Sequence, residues 1–128
     1  MPAGKIVLHV EDNVDNRILV RRLLMSEKYQ VLEAGNAREA LHLLESHTPD
    51  LILMDINMPD IDGYALTTDL KNREELKEVP IVAITANVMR GDREKVYQSG
   101  CNGYIEKPID VDHFLDQIAL YFNSSVQG

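Results

Sequence analysis

The stretch "LILMDINMPD" runs four apolar residues, Leu51 to Met54, into the carboxylate of Asp55 and breaks at Pro59. The same punctuation recurs along the chain: Glu11-Asp12 follows "IVLHV", Thr85 follows "IVAI", and Lys107-Pro108 follows a run ending at Ile105. Three carboxylates brought together repel, by roughly 4 kcal/mol per pair at about 4 Å and an effective dielectric near 20. One of them must hold a proton, or a cation must sit among them. The oxygen-only donor set suits Mg²⁺, which takes one or two carboxylates, waters and phosphate oxygens. No Cys/His cluster with zinc spacing is present. With a metal in place, one oxygen of Asp55 can hold it while the other attacks a phosphoryl group, as in aspartyl-phosphate chemistry. Lys107 supplies a positive charge for a phosphoryl oxygen and Thr85 a hydroxyl donor for another.

These residues meet only if a particular set of elements holds them. Short apolar runs at Ile6–Val10, Val31–Ala34, Leu51–Met54, Ile81–Ile84 and Gly103–Ile105 do not alternate with polar residues, which predicts strands covered on both faces. Helical patterns lie between them. Leu19, Val20, Leu23 and Leu24 give the first helix a core face. Asn36 with Glu39 forms an N-cap and capping box ahead of Ala37, Ala40, Leu41 and Leu44. A third helix runs from about Asp62 to Asn72 with Ala65, Leu66 and Leu70 inward, and a fourth from about Val88 to Gln98 with Gly91 weakening its first turns. The fifth carries Val111, Phe114, Leu115, Ile118 and Phe122 as its apolar stripe, capped by Asp110. Alternating strands and helices give an α/β fold: a doubly wound, five-stranded parallel sheet of order 2-1-3-4-5, flavodoxin-like, (βα)5. In that fold ligands sit at the carboxyl ends of strands 1 and 3, where Glu11, Asp12 and Asp55 stand.

The 128 residues predict a single domain, 1–128, with its core at about 5–122. A net charge of −8 lacks the basic stripe that nucleic-acid binding needs. Cys101, the lone cysteine, cannot form an internal disulfide, and no apolar stretch is long enough to insert in a membrane, so a cytoplasmic location is expected. The histidines at 9, 42, 47 and 113 read as structural or solvated, Cys101 as a small filler, and Met54, Met58 and Met89 as gap-filling residues, Met58 also shaping the rim of the site. Either Asp12 or Asn13 caps the first helix. Val14, Ile18 and Met25 lie opposite its main apolar face, as edge packing or as a docking surface.

Three rival chemistries fail on particular positions. As an EF-hand loop, Asp55 to Leu66 has Pro59 in fifth place, Asp60 where Gly is required and Leu66 where the bidentate Glu belongs. A phosphatase of the haloacid dehalogenase type needs Asp-x-Asp, and Asn57 cannot act as acid or base. A flavin carrier needs a Ser/Thr/Gly-rich phosphate loop, and "EDNVDN" repels phosphate instead.

"VLHVEDN", "DLILMDINMPDIDG", "VPIVAITAN" and "GYIEKPI" resemble, in order and over about Lys5 to Tyr121, the signature stretches of the response-regulator receiver domain of two-component signalling. The resemblance implies that Asp55 accepts phosphate from a phosphohistidine of a sensor histidine kinase or histidine phosphotransfer protein. It implies Mg²⁺, for which Mn²⁺ can substitute, held by Asp12 directly, by Glu11 through water, by Asp55 and by the backbone carbonyl of Asn57. Lys107 would pair with the phosphoryl group, with a cis bond to Pro108. Thr85 and Tyr104 would form a switch pair, Asn57 and Asn87 would tune the phosphoryl lifetime, and Met58, Ala86 and Pro108 would flank the site. Catalysis would be limited to the domain's own phosphorylation and dephosphorylation. The chain reads as ending soon after the fifth helix, at "NSSVQG", without an output domain. Output is then protein binding through the helix 4–strand 5–helix 5 face, the alternative being a phosphorelay shuttle or the receiver module of a hybrid sensor kinase.

Overall fold

The computed structural model describes residues 4–59, 62–86 and 91–127. Five parallel strands, β1 (Ile6–Val10), β2 (Gln30–Ala34), β3 (Leu51–Asp55), β4 (Ile81–Thr85) and β5 (Gly103–Glu106), form one sheet in the order β2-β1-β3-β4-β5. The helices are α1 (Val14–Ser26), α2 (Ala37–Ser46), α3 (Gly63–Lys71), α4 (Asp92–Ser99) and α5 (Phe114–Gln127), with a 3-10 turn at Glu74–Leu76. The doubly wound expectation is met.

The unbroken apolar strands are explained by two cores. Leu8, Val10, Ile52, Met54, Ile81 and Ala83 pack with Ala40, Leu66, Leu70 and Val96 of α2, α3 and α4. On the other face Val7, Leu51, Leu53, Val82, Ile84 and Ile105 pack with Val20 and Leu24 of α1 and with Phe114, Ile118 and Phe122 of α5. Successive strand residues point to opposite faces, so β1 and β3 carry apolar residues on both faces, with His9 and the terminal Asp55 as the buried exceptions.

The caps follow the sequence. Asn13, not Asp12, caps α1, its side chain accepting from the Asn16 N–H at 2.9 Å. Asn36 caps α2 and accepts from the Glu39 N–H, while the Glu39 carboxylate accepts from the Gly35 N–H at 2.6 Å. Asp62 caps α3 through the Tyr64 and Ala65 N–H groups. Gly63 follows it because a Cβ there would lie 2.9 Å from the Ile56 Cα.

Three helix expectations are corrected. Ala65 is exposed; the core side of α3 is Leu66, Thr67 and Leu70. Described α4 begins at Asp92, because Gly91 takes φ 85°, a left-handed conformation outside helical geometry; Val88 lies outside the described residues. Helix α5 begins at Phe114, and Val111 is half exposed in the preceding turn. Asp110 caps that turn instead, its side chain accepting from the Asp112 N–H and its carbonyl from the N–H groups of His113 and Phe114. Val14 and Met25 of α1 are exposed and Ile18 half-buried. Met54, Met58 and Cys101 are buried.

Candidate functional site

Strand register and the two-residue period assemble the site. Asp55 ends β3 on the face of Leu51 and Leu53, and Glu11 follows β1 on the face of Val7, so both carboxylates rise on the same side of adjacent strands. Lys107 follows β5 on the face of Ile105, again the same side. Ligand oxygens of Glu11, Asp12 and Asp55 all lie within 4.8 Å of one another. The Lys107 ammonium donates to Asp55 Oδ1 at 2.9 Å, and the Asn57 N–H donates to the same oxygen at 2.9 Å. Lys107 is itself anchored where its N–H donates to the Thr85 carbonyl at 2.8 Å, and the Lys107–Pro108 bond is cis.

Glu11 and Asp55 are each only 2% exposed, whereas Asp12 is exposed. The start of α1 orients Glu11: the Asn13 N–H and the Asn16 amide donate to its two oxygens at 3.2 and 3.3 Å. Burial, then hydrogen bonding to Asp55 and the charge of Asp55, push the Glu11 carboxyl up to about 7. Burial pushes Asp55 upward too, but its hydrogen bond with Glu11, the Asn57 N–H and Lys107 outweigh this and hold it below the usual range. Without a cation, burial and the neighbouring charge favour the proton on Glu11 rather than on Asp55, one of the two outcomes expected of crowded carboxylates. The other outcome is a metal. Two sealed carboxylates and one open to solvent fit a cation that keeps several waters, as Mg²⁺ does.

Sequence reasoning missed one link. The Asn57 side chain, assigned only a tuning role, accepts the Ala86 N–H at 2.9 Å and so ties the loop after β3 to the loop after β4. Met58, in the loop after β3, is buried, and Thr85 is fully buried. Tyr104 is half-buried and packs against the α2–α3–α4 core. Thr85 and Tyr104 share the face of Ile81 and Ala83, opposite to that of Asp55 and Lys107. Asn87, Met89 and Asp60 lie outside the described residues. Beside the site a cleft of about 390 Å³ is lined by Glu11, Asn16, Leu19, Lys107, Pro108 and Ile109, among others.

This fold and this set of strand-end residues are those of a signalling receiver, and comparison agrees. The chain matches the response regulator receiver domain family over residues 7–119, and it belongs to that family. It is 43% identical over 121 residues to the polar-differentiation response regulator DivK of Brucella anthropi, covering 94% of this chain and 98% of that protein. Among solved structures, the receiver domain of the sensor histidine kinase PA1611 of Pseudomonas aeruginosa PAO1 superposes with a TM-score of 0.85 at 35% identity, covering 94% of this chain and 99% of that one. That structure holds a magnesium ion coordinated in its active site cleft. The chemotaxis response regulator CheY4 of Vibrio cholerae gives a TM-score of 0.87 at 25% identity, over 93% of this chain and 99% of that one. The chain is thus a two-component receiver whose acidic cluster suits Mg²⁺. Among the described residues, no helix is long and apolar enough to cross a membrane.

Proposed function

We propose that this chain is a single receiver domain, residues 1–128, that acts in the cytoplasm as a phosphorylation-controlled protein switch with Asp55 as phosphoacceptor. The observation that carries this reading is the meeting of Glu11, Asp12 and Asp55 oxygens within 4.8 Å, with Lys107 bonded to Asp55 at 2.9 Å. The donor is a phosphohistidine of a sensor histidine kinase or histidine phosphotransfer protein, and its imidazole enters through the cleft between α1 and the loop after β5. An Asp55 oxygen attacks phosphorus, an O–P bond forms, the P–N bond breaks, and the imidazole leaves. Asp12, Asp55, the Asn57 carbonyl and, through water, Glu11 would hold Mg²⁺, which would supply neutralising charge for the phosphoryl oxygens. Lys107 exchanges its Asp55 contact for a phosphoryl oxygen, and the Thr85 hydroxyl turns toward another. Tyr104, on the same face as Thr85, follows it, and output passes through the α4–β5–α5 surface to a protein target. The chain catalyses only its own phosphorylation and dephosphorylation.

A second reading, a phosphorelay shuttle or the receiver module of a hybrid kinase, is favoured by the likeness to a receiver domain of a sensor histidine kinase at 35% identity. The test is radiolabelled phosphoramidate with Mg²⁺. Wild type should take up label stoichiometrically and lose it in EDTA-treated reactions, and Asp55→Asn should take up none. Stoichiometric label persisting in Asp55→Asn refutes the assignment. Transfer of label onward to a phosphotransfer histidine selects the shuttle over the switch.

A further inference from the structure

The α4 side of Tyr104 is built from two side chains one helical turn apart. Arg93 and Tyr97 are spaced i, i+4 and so project from one side of α4. The Arg93 guanidinium carbon lies 5.8 Å from the centroid of the Tyr104 ring. The Tyr97 ring meets Tyr104 edge-on, with centroids 6.3 Å apart and planes at 75°. Both arrangements are attractive, since an aromatic face carries partial negative charge and its edge partial positive charge. The remaining attachment of α4 is thin. Among its described side chains only Val96 and Ser99 are buried, and its first turn follows Gly91 with no side-chain cap. The Thr68 hydroxyl of α3 donates to the Ser99 carbonyl at its far end. Behind Tyr104, the hydroxyl of Tyr121 from α5 fills the space that a Cβ at Gly103 would take.

We propose that Arg93 and Tyr97 form a latch on Tyr104, making the position of that ring and the placement of α4 a single two-state element. They are positioning residues, acting through Tyr104. The inference rests on the reading of Thr85 and Tyr104 as a switch pair. A ring leaving α4 breaks both contacts, and an α4 that shifts releases the ring. By reciprocity, a partner that grips α4 alters Tyr104 and hence the Thr85 end of the site.

The test uses the unphosphorylated chain, so that it does not depend on Asp55. Arg93→Gln keeps a good helix former and removes the cation. The equilibrium of Tyr104 should shift about two- to fivefold, read as movement of its assigned ring resonances, and amide exchange in α4 should quicken by a similar factor. Arg93→Lys should restore most of the wild-type behaviour. In a Tyr104→Leu background, Arg93→Gln should leave α4 exchange unchanged. Tyr104 resonances that stay fixed in Arg93→Gln, or an undiminished effect without the Tyr104 ring, overturn the latch. Phosphoramidate labelling of the same variant, run separately, tells failure of the latch from failure of Asp55 as acceptor.

Discussion

His9 provides a measurable test of how the α1–α5 face of the sheet is built. It sits in β1 between Glu33 of β2 and Leu53 of β3, is 0% exposed, and neither ring nitrogen has a protein hydrogen-bond partner among the described residues. Burial pushes its pKa from 6.5 down to about 4; the charge of Asp55 opposes this, and Arg17 and Lys107 add to it. Between those two values the unfolded chain binds a proton that the folded chain refuses. The stability that neutral His9 contributes is therefore complete above pH 6.5 and is lost as pH falls toward 4. At roughly 1.4 kcal/mol per pH step, the loss is on the order of 2–3 kcal/mol by pH 4.5. His9→Leu keeps the volume approximately and removes the titration. At pH 7 the variant should be as stable as wild type or more stable by about 1 kcal/mol, because a buried polar group without a partner is destabilising. Urea unfolding of both chains from pH 7.5 to 4.5, in EDTA to keep metal out of the acidic cluster, gives the two stability curves. Their difference should widen by about 2–3 kcal/mol across that range. Parallel curves would refute the reasoning, because they would show that His9 titrates equally in the folded and unfolded chains.

Other outcomes follow from single contacts. Asp12→Ala removes the solvent-facing carboxylate of the cluster and should weaken Mg²⁺ at least about tenfold by calorimetry, or about 1.4 kcal/mol. Asn57→Ala unties the Ala86 N–H and should cost about 0.5–1.5 kcal/mol in chemical denaturation. Gly63→Ala places a Cβ against the Ile56 backbone and should cost about 1–3 kcal/mol. His113 is held above its ordinary pKa by its hydrogen bond to Asp110, at 2.7 Å. Asp110→Asn should return its NMR titration midpoint toward 6.5; because the folded value is raised, the small contribution of the pair is present below 6.5 and lost as pH rises past the folded midpoint.

The legible part of this molecule was its periodic part. "IVLHV", "LILM" and "IVAI" fix strands buried on both faces, and a parallel sheet with short crossovers leaves few orders, so the meeting of Asp12 with Asp55 could be placed from residue types alone. Each strand ran at most one residue further than expected, at Gln30, Asp55, Thr85 and Glu106. Each of those residues is polar, and a polar residue at a strand end gives no hydropathy signal to read. The misplacements have two causes. Val111 and Ala65 suit helix stripes by composition, but packing decides which apolar residues are covered. Gly91 reads from the sequence as a weak residue inside α4, whereas its positive φ places it just before the first turn of the described helix. The Asn57–Ala86 tie left no trace in the sequence, because it joins two loops through one side-chain oxygen and one backbone N–H.

The two-residue period of the strands also divides the work of the sheet. Glu11, Asp55 and Lys107 rise on the face that α1 and α5 cover, whereas Thr85 and Tyr104 rise on the face that α4 covers. A one-residue slip of β4 or β5 would move Thr85 or Tyr104 to the other side, so on the proposed function register is a constraint alongside the acids. The crossing point is at the top of β4 and β5, where the Thr85 carbonyl accepts from the Lys107 N–H at 2.8 Å. That backbone bond joins the lysine bonded to Asp55 directly to Thr85, which lies on the same side of the sheet as Tyr104. On the proposed function, a change at Asp55 would reach α4 by way of Lys107, the Thr85 backbone and the ring of Tyr104, which packs against the α2–α3–α4 core.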